Sequence, residues 1–167
     1  MKTCHYLSII VLFSGALGLC VAGHSSAAGD AMKVVESPDA VQWGAAPPSL
    51  PPGAQLAVVS GDTSKTAATY AVRLKLPDGY VFRPHWHPQD VNVTVLIGSL
   101  GIGMGDKFDE SQGRLVEAGG YILEPKGMHH YAWAKGPTVI EVYGQGPFRM
   151  NYVNPADDPS NPPSKTQ

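Results

Sequence analysis

Two histidines set two residues apart, His85 and His87, stand in the stretch Gly79-Tyr-Val-Phe-Arg-Pro-His85-Trp-His87-Pro-Gln-Asp90. On an extended strand, side chains i and i+2 project from one face, so both imidazoles can approach a single point inside a sheet or barrel. Neutral imidazoles converging in this way suit a divalent transition metal. A second pair, His129-His130, follows Pro125-Lys126-Gly127-Met128. The chemistry depends on whether the two clusters meet around one ion. His24, alone near the N-terminus, reads as an ordinary surface histidine.

Such side chains must be held by short strands, and the chain is composed for them. Gly (19) and Pro (15) make up 34 of 167 residues and recur about every ten residues between short apolar runs. Thr69–Leu76 alternates strictly, with Tyr70, Val72, Leu74 and Leu76 on one face and Ala71, Arg73 and Lys75 on the other. Gln55–Ser60, Val91–Ile97, Leu100–Gly105, Arg114–Val116, Tyr121–Glu124 and Phe148–Val153 read as further strands, with a short one near Val41–Trp43. Tyr131–Ala134 and Thr138–Tyr143 read as a hairpin around Lys135-Gly136-Pro137. Gly101, Gly103 and Gly105 point to close backbone approach or bulges. About nine or ten short strands and no helix make an all-β sandwich or barrel, whose closure hides strand edges.

Charged residues amount to 16% and the formal net charge is -2, with Lys and Arg scattered singly, so no nucleic-acid partner is expected. Lys2 followed by the apolar run Tyr6 to Ala22, then by Val21-Ala22-Gly23 and Ser26-Ala27-Ala28, has the pattern of a secretory signal peptide. An uncleaved membrane anchor is the alternative, but the apolar run is short for a span, and the expected cleavage near 23 or 28 removes both cysteines, Cys4 and Cys20. It leaves a periplasmic or secreted protein without disulfides and without a membrane segment. The expected organisation is a leader over 1–28, a Pro/Ala-rich arm over 29–53, a barrel over 54–153 and a loose tail over 154–167.

Gly79, His85, His87 and Gly98 resemble the first signature of the cupin superfamily in residue type and spacing. Gly119, Pro125, Gly127 and His130 resemble the second. Gly103-Met-Gly-Asp-Lys-Phe-Asp109 and Tyr152-Val-Asn-Pro-Ala-Asp-Asp158 are similar to segments of small single-domain bacterial cupins, and the resemblance covers roughly residues 53–158. It implies an antiparallel jelly-roll, or double-stranded β-helix, in agreement with the strand count. It also implies a divalent metal (Fe, Zn, Mn, Ni or Cu) held by His85, His87, His130 and a glutamate. The glutamate position falls on Val91, which has no lone pair to give. Three alternatives arise: a three-histidine site with open positions; a substitute ligand, Asp90 or His129, each one residue out of phase; or a site that no longer binds metal.

Trp86, Met104, Tyr131 and Trp133 flank the motifs as candidate pocket walls, with barrel core as their plainer role, and the same holds for Phe82 and Tyr121. Glu124 and Arg73 read either as polar groups of the pocket or as outward residues in solvent, the second being the favoured expectation. The functions in view are a dioxygenase-like or isomerase-like metalloenzyme acting on a small molecule, a non-catalytic module binding a small ligand or metal, and a structural barrel with a vestigial site. The resemblance also allows a homodimer.

Overall fold

The computed structural model describes residues 32–37 and 40–161, so the segment expected to be a leader, both cysteines and the last residues of the expected tail lie outside the described residues. The unit that begins at Val34 carries the barrel. Nine strands form one antiparallel sheet: β1 (Gly44–Ala45), β2 (Gln55–Gly61), β3 (Thr69–Leu76), β4 (Val81–Trp86), β5 (Val91–Met104), β6 (Arg114–Glu117), β7 (Tyr121–Glu124), β8 (His130–Gln145) and β9 (Asn151–Tyr152). Among the described residues the helical elements are two single 3-10 turns, at Glu110–Gln112 and Pro155–Asp157.

The two longest strands make the barrel. β5 and β8 run beside each other from Val91↔Gly144 to Met104↔His130, and each changes its other neighbour part-way along. The first half of β5 takes β7 and the second half takes β6. In β8, His130, Ala132 and Trp133 pair with β4, while Thr138–Gln145 pairs with β3. The sheet thus curls over on itself in the jelly-roll manner, and the expected all-β class holds.

The bends occur where the sequence offers glycine. Gly98 (φ +76°) sits within the second of two register shifts in β5, and a Cβ there would lie 2.4 Å from the Pro137 carbonyl oxygen on β8. The β5 and β8 bends therefore press together, and only hydrogen fits between them. Two sequence expectations change as a result. Val91–Ile97 and Leu100–Gly105 are one strand, and the expected hairpin around Lys135-Gly136-Pro137 is a bend within β8. Turn residues interrupted the pattern, but the flanking ladders carry the chain through the bend.

The alternation in β3 does what it predicts: Tyr70, Val72, Leu74 and Leu76 are buried inside with Val91, Val93 and Val95 of β5 and Ile140 and Val142 of β8. The strand expected over Phe148–Val153 shrinks to Asn151–Tyr152, and that near Val41–Trp43 appears at Gly44–Ala45.

Candidate metal centre

His85 lies on β4 opposite His130 of β8 and Tyr152 of β9, while His87 comes just after β4 ends. The β4–β8 ladder brings the two histidine clusters together, which their separation in sequence could not show. The ring centroids of His85 and His130 are 4.2 Å apart, and that of His87 lies 5.1 Å from His85 and 5.2 Å from His130. One ring nitrogen from each of the three falls within 4.8 Å of the others. All three rings are buried, His130 to 1% exposure.

Each Nδ1 faces a backbone carbonyl: His85 at 2.7 Å from Arg83 O, His87 at 2.7 Å from Arg149 O, and His130 at 3.0 Å from Met128 O. A carbonyl oxygen only accepts, so each Nδ1 carries the proton and each Nε2 offers a lone pair. The backbone fixes one tautomer in all three rings and aims three lone pairs at one place.

A carboxylate joins them from a residue expected at the surface. Glu124, at the end of β7, is buried, with Oε2 3.4 Å from His87 Nε2 and Oε1 3.5 Å from His130 Nε2. The sequence expectation took the outward phase; the ladder instead sets Glu124 opposite Val91, whose side chain belongs to the core. Burial pushes the Glu124 carboxyl up, but the closeness of the His130 and then the His87 imidazole outweighs it and holds the pKa at about 2. His85 is driven the other way by burial, and by the neighbouring His130 and His87, to about 3, so it stays neutral. Burial also works against charge on His130, but the adjacent carboxylate of Glu124 raises its pKa.

Asp90 and His129, the two substitute ligands considered from sequence, lie elsewhere. The Asp90 carboxylate is exposed and accepts the Lys126 backbone N–H at 2.8 Å. With Gly127 N–H donating to His87 O at 2.8 Å, it fastens the turn after Glu124 to the segment after His87. Asp90 thus positions the carboxylate that sequence reasoning sought at its own site. His129 is 40% exposed and its Nδ1 lies 2.6 Å from Asp106 Oδ1, on the opposite side of β8 from His130.

The expected pocket walls also move. Tyr131 and Trp133 alternate with His130 and Ala132, so they leave the interior and stack outside it, 6.2 Å apart, with Phe108 edge-on to both. This explains the glycines of β5: a Cβ on Gly101 would lie 2.0 Å from the Trp133 ring, and one on Gly103 2.3 Å from Tyr131. Met104 is 73% exposed, and Trp86 falls between His85 and His87 on the other face of β4. The cavity beside the histidines is lined by Phe82, the one expected wall residue that reaches it, together with aliphatic core residues, Phe148 and Met150. Its volume is about 30 Å³, enough for one or two waters. Phe148 was legible only as a strand residue; its ring stacks on His87 with centroids 5.6 Å apart.

The donor set fits a metal ion. His130 Nε2 is buried without a hydrogen-bond partner. Three lone pairs and an ionised carboxylate face one another with no donor among them, an arrangement that calls for a cation or a proton.

Known proteins share this architecture. A search of curated proteins finds no match to the sequence. Among solved structures, the polyketide cyclase RemF from Streptomyces resistomycificus superposes with a TM-score of 0.61 at 20% identity, covering 77% of this chain and 90% of that one. A structure of an oxalate oxidase gives 0.53 at 20% identity, covering 83% and 72%. At these identities the similarity speaks for the fold alone. The model of the ChrR cupin-like domain matches residues 31–149. That span takes in both histidine signatures and most of the barrel, and the chain belongs to the ChrR cupin-like domain family of the cupin superfamily.

Proposed function

We propose that this protein binds one divalent transition-metal ion through His85, His87 and His130, with Glu124 as the fourth ligand, and presents it to a small molecule. The observation that supports this most is the set of three Nδ1–H···O=C contacts, which leave three buried Nε2 lone pairs aimed at one another. Three imidazoles and one carboxylate suit Zn, Fe, Mn, Ni or Cu and leave the ion a formal charge of about +1. When bound, such an ion polarises a coordinated oxygen and so supplies Lewis-acid chemistry. The chain itself orients the ligands through its carbonyls, keeps His85 neutral and Glu124 ionised, and excludes bulk water with the Phe148 and Met150 side chains.

A metalloenzyme of dioxygenase-like or isomerase-like type results if a substrate reaches the ion. The narrow cavity favours a second reading, a binding module that holds the metal or a small ligand without turnover. We further infer export to the periplasm or beyond, on the Tyr6 to Ala22 run and the small residues after it.

Metal analysis of the full chain, purified without a metal-binding tag, tests the proposal. About one equivalent of divalent ion, lost in His85→Ala and His130→Ala, is expected. A folded chain that takes up no ion on addition would remove the metalloenzyme and the metal-holding module.

A further inference from the structure

A cleft of about 300 Å³ lies outside the histidine pocket, between the Pro47–Leu50 stretch and the segment Pro147–Met150. Phe148 and Met150 line both this cleft and the inner cavity, so two side chains separate them. The backbone that carries them is fixed on both sides: Phe148 N–H donates to Thr63 O at 2.8 Å, and Arg149 O accepts from His87 Nδ1. Opening the pocket here therefore needs rotamer changes and no loop movement. The cleft walls are mostly apolar (Pro47, Leu50, Leu56, Pro147), with the hydroxyl residues Ser49, Thr63 and Ser64 among them, and the exposed Arg149 is the one charged residue in the lining. A mostly apolar throat beside one positive charge complements a small molecule with an apolar body and one carboxylate.

We propose that this cleft is the access site of the histidine pocket, that it receives a small organic carboxylate, and that Phe148 and Met150 form the plug the ligand displaces. The role of the bound metal rests on the function proposed above; the access route and the ligand class do not. Phe148 and Met150 are then the residues that set the size of ligand admitted, and Arg149 sets its charge. The plug also accounts for the mismatch between a 300 Å³ cleft and a 30 Å³ cavity beside the ligands.

The test uses the metal-free full chain and diethyl pyrocarbonate, with labelled histidines located by mass spectrometry. In the unaltered protein His87 should label at least tenfold more slowly than exposed His129. Phe148→Ala and Met150→Ala should each raise the His87 rate at least tenfold and leave His129 unchanged. If Phe148→Ala does not fold, Phe148→Leu and Met150→Ala decide the matter. Unchanged His87 rates in the folded variants overturn the access route.

For the ligand class, calorimetry should show benzoate binding at least tenfold more tightly than neutral benzamide, with the preference lost in Arg149→Gln. Equal binding of the two, or an indifferent Arg149→Gln, overturns it. Zinc uptake is measured in parallel. A chain that passes both tests but takes up no zinc sinks the metal proposal alone, and one that binds zinc but fails them sinks the access site alone.

Discussion

Glu124 stands directly opposite Val91 in the β5–β7 ladder, and its carboxylate enters the space between His87 and His130 from the neighbouring strand. The position where the cupin signature carries a glutamate is thus filled by valine, and an acidic group reaches the same cavity from across the ladder. Glu124→Gln keeps the shape and removes the charge. It should weaken metal binding at least roughly tenfold, measured by competition with a chromophoric chelator. Val91→Glu added to Glu124→Gln should restore much of the loss. Failure of the double variant to bind better than Glu124→Gln would show that position 91 cannot reach the ion.

The phase of β8 separates neighbouring histidines. His130→Gln should abolish metal uptake, whereas His129→Gln should leave it within about twofold, because His129 is exposed against Asp106. Elemental analysis of the two purified variants compares them directly. Equal losses in both would contradict the assigned phase.

The strand of small residues over the outer aromatic stack should resist enlargement. Gly101→Ala drives a methyl into the Trp133 ring and should cost about 1–3 kcal/mol of stability. Gly101→Ala combined with Trp133→Leu should recover part of that cost. Urea unfolding followed by circular dichroism reads both, and an unchanged midpoint in Gly101→Ala would mean that the ring is not held where it lies.

Three buried tyrosines set an alkaline limit. Burial, more than the nearby Glu124, raises the Tyr70 pKa above its ordinary value of 10.0; burial likewise dominates for Tyr80 and Tyr152. Tyr80 donates to Pro51 O at 2.6 Å and Tyr152 to Ser49 O at 2.9 Å, bonds that need the neutral phenol. With folded pKa values above the unfolded ones, the stability they contribute is complete below about pH 10 and is lost as pH rises through the folded values. Above about pH 10 each should cost about 1.4 kcal/mol per pH unit. The ultraviolet absorbance of tyrosinate should therefore rise for these three together with unfolding. Smooth titration in the folded protein near the ordinary phenol pKa of about 10 would oppose this.

The sequence by itself determined the all-β class, the inward face of β3 and the shared face of His85 and His87, because these rest on alternation and on local spacing that a strand cannot alter. It also marked Gly101 and Gly103 as places of close approach, though not what approaches. The tertiary structure alone decided the rest. The site's carboxylate comes from Glu124 because cross-strand register is set by non-local pairing, and no local pattern tells which residue faces Val91. Tyr131 and Trp133 fall outside the cavity because the phase of β8 is fixed by His130 packing against His85. Phe148 becomes a wall of the site because its own N–H is fastened to Thr63 and the adjoining Arg149 carbonyl to His87, two partners far away in the chain.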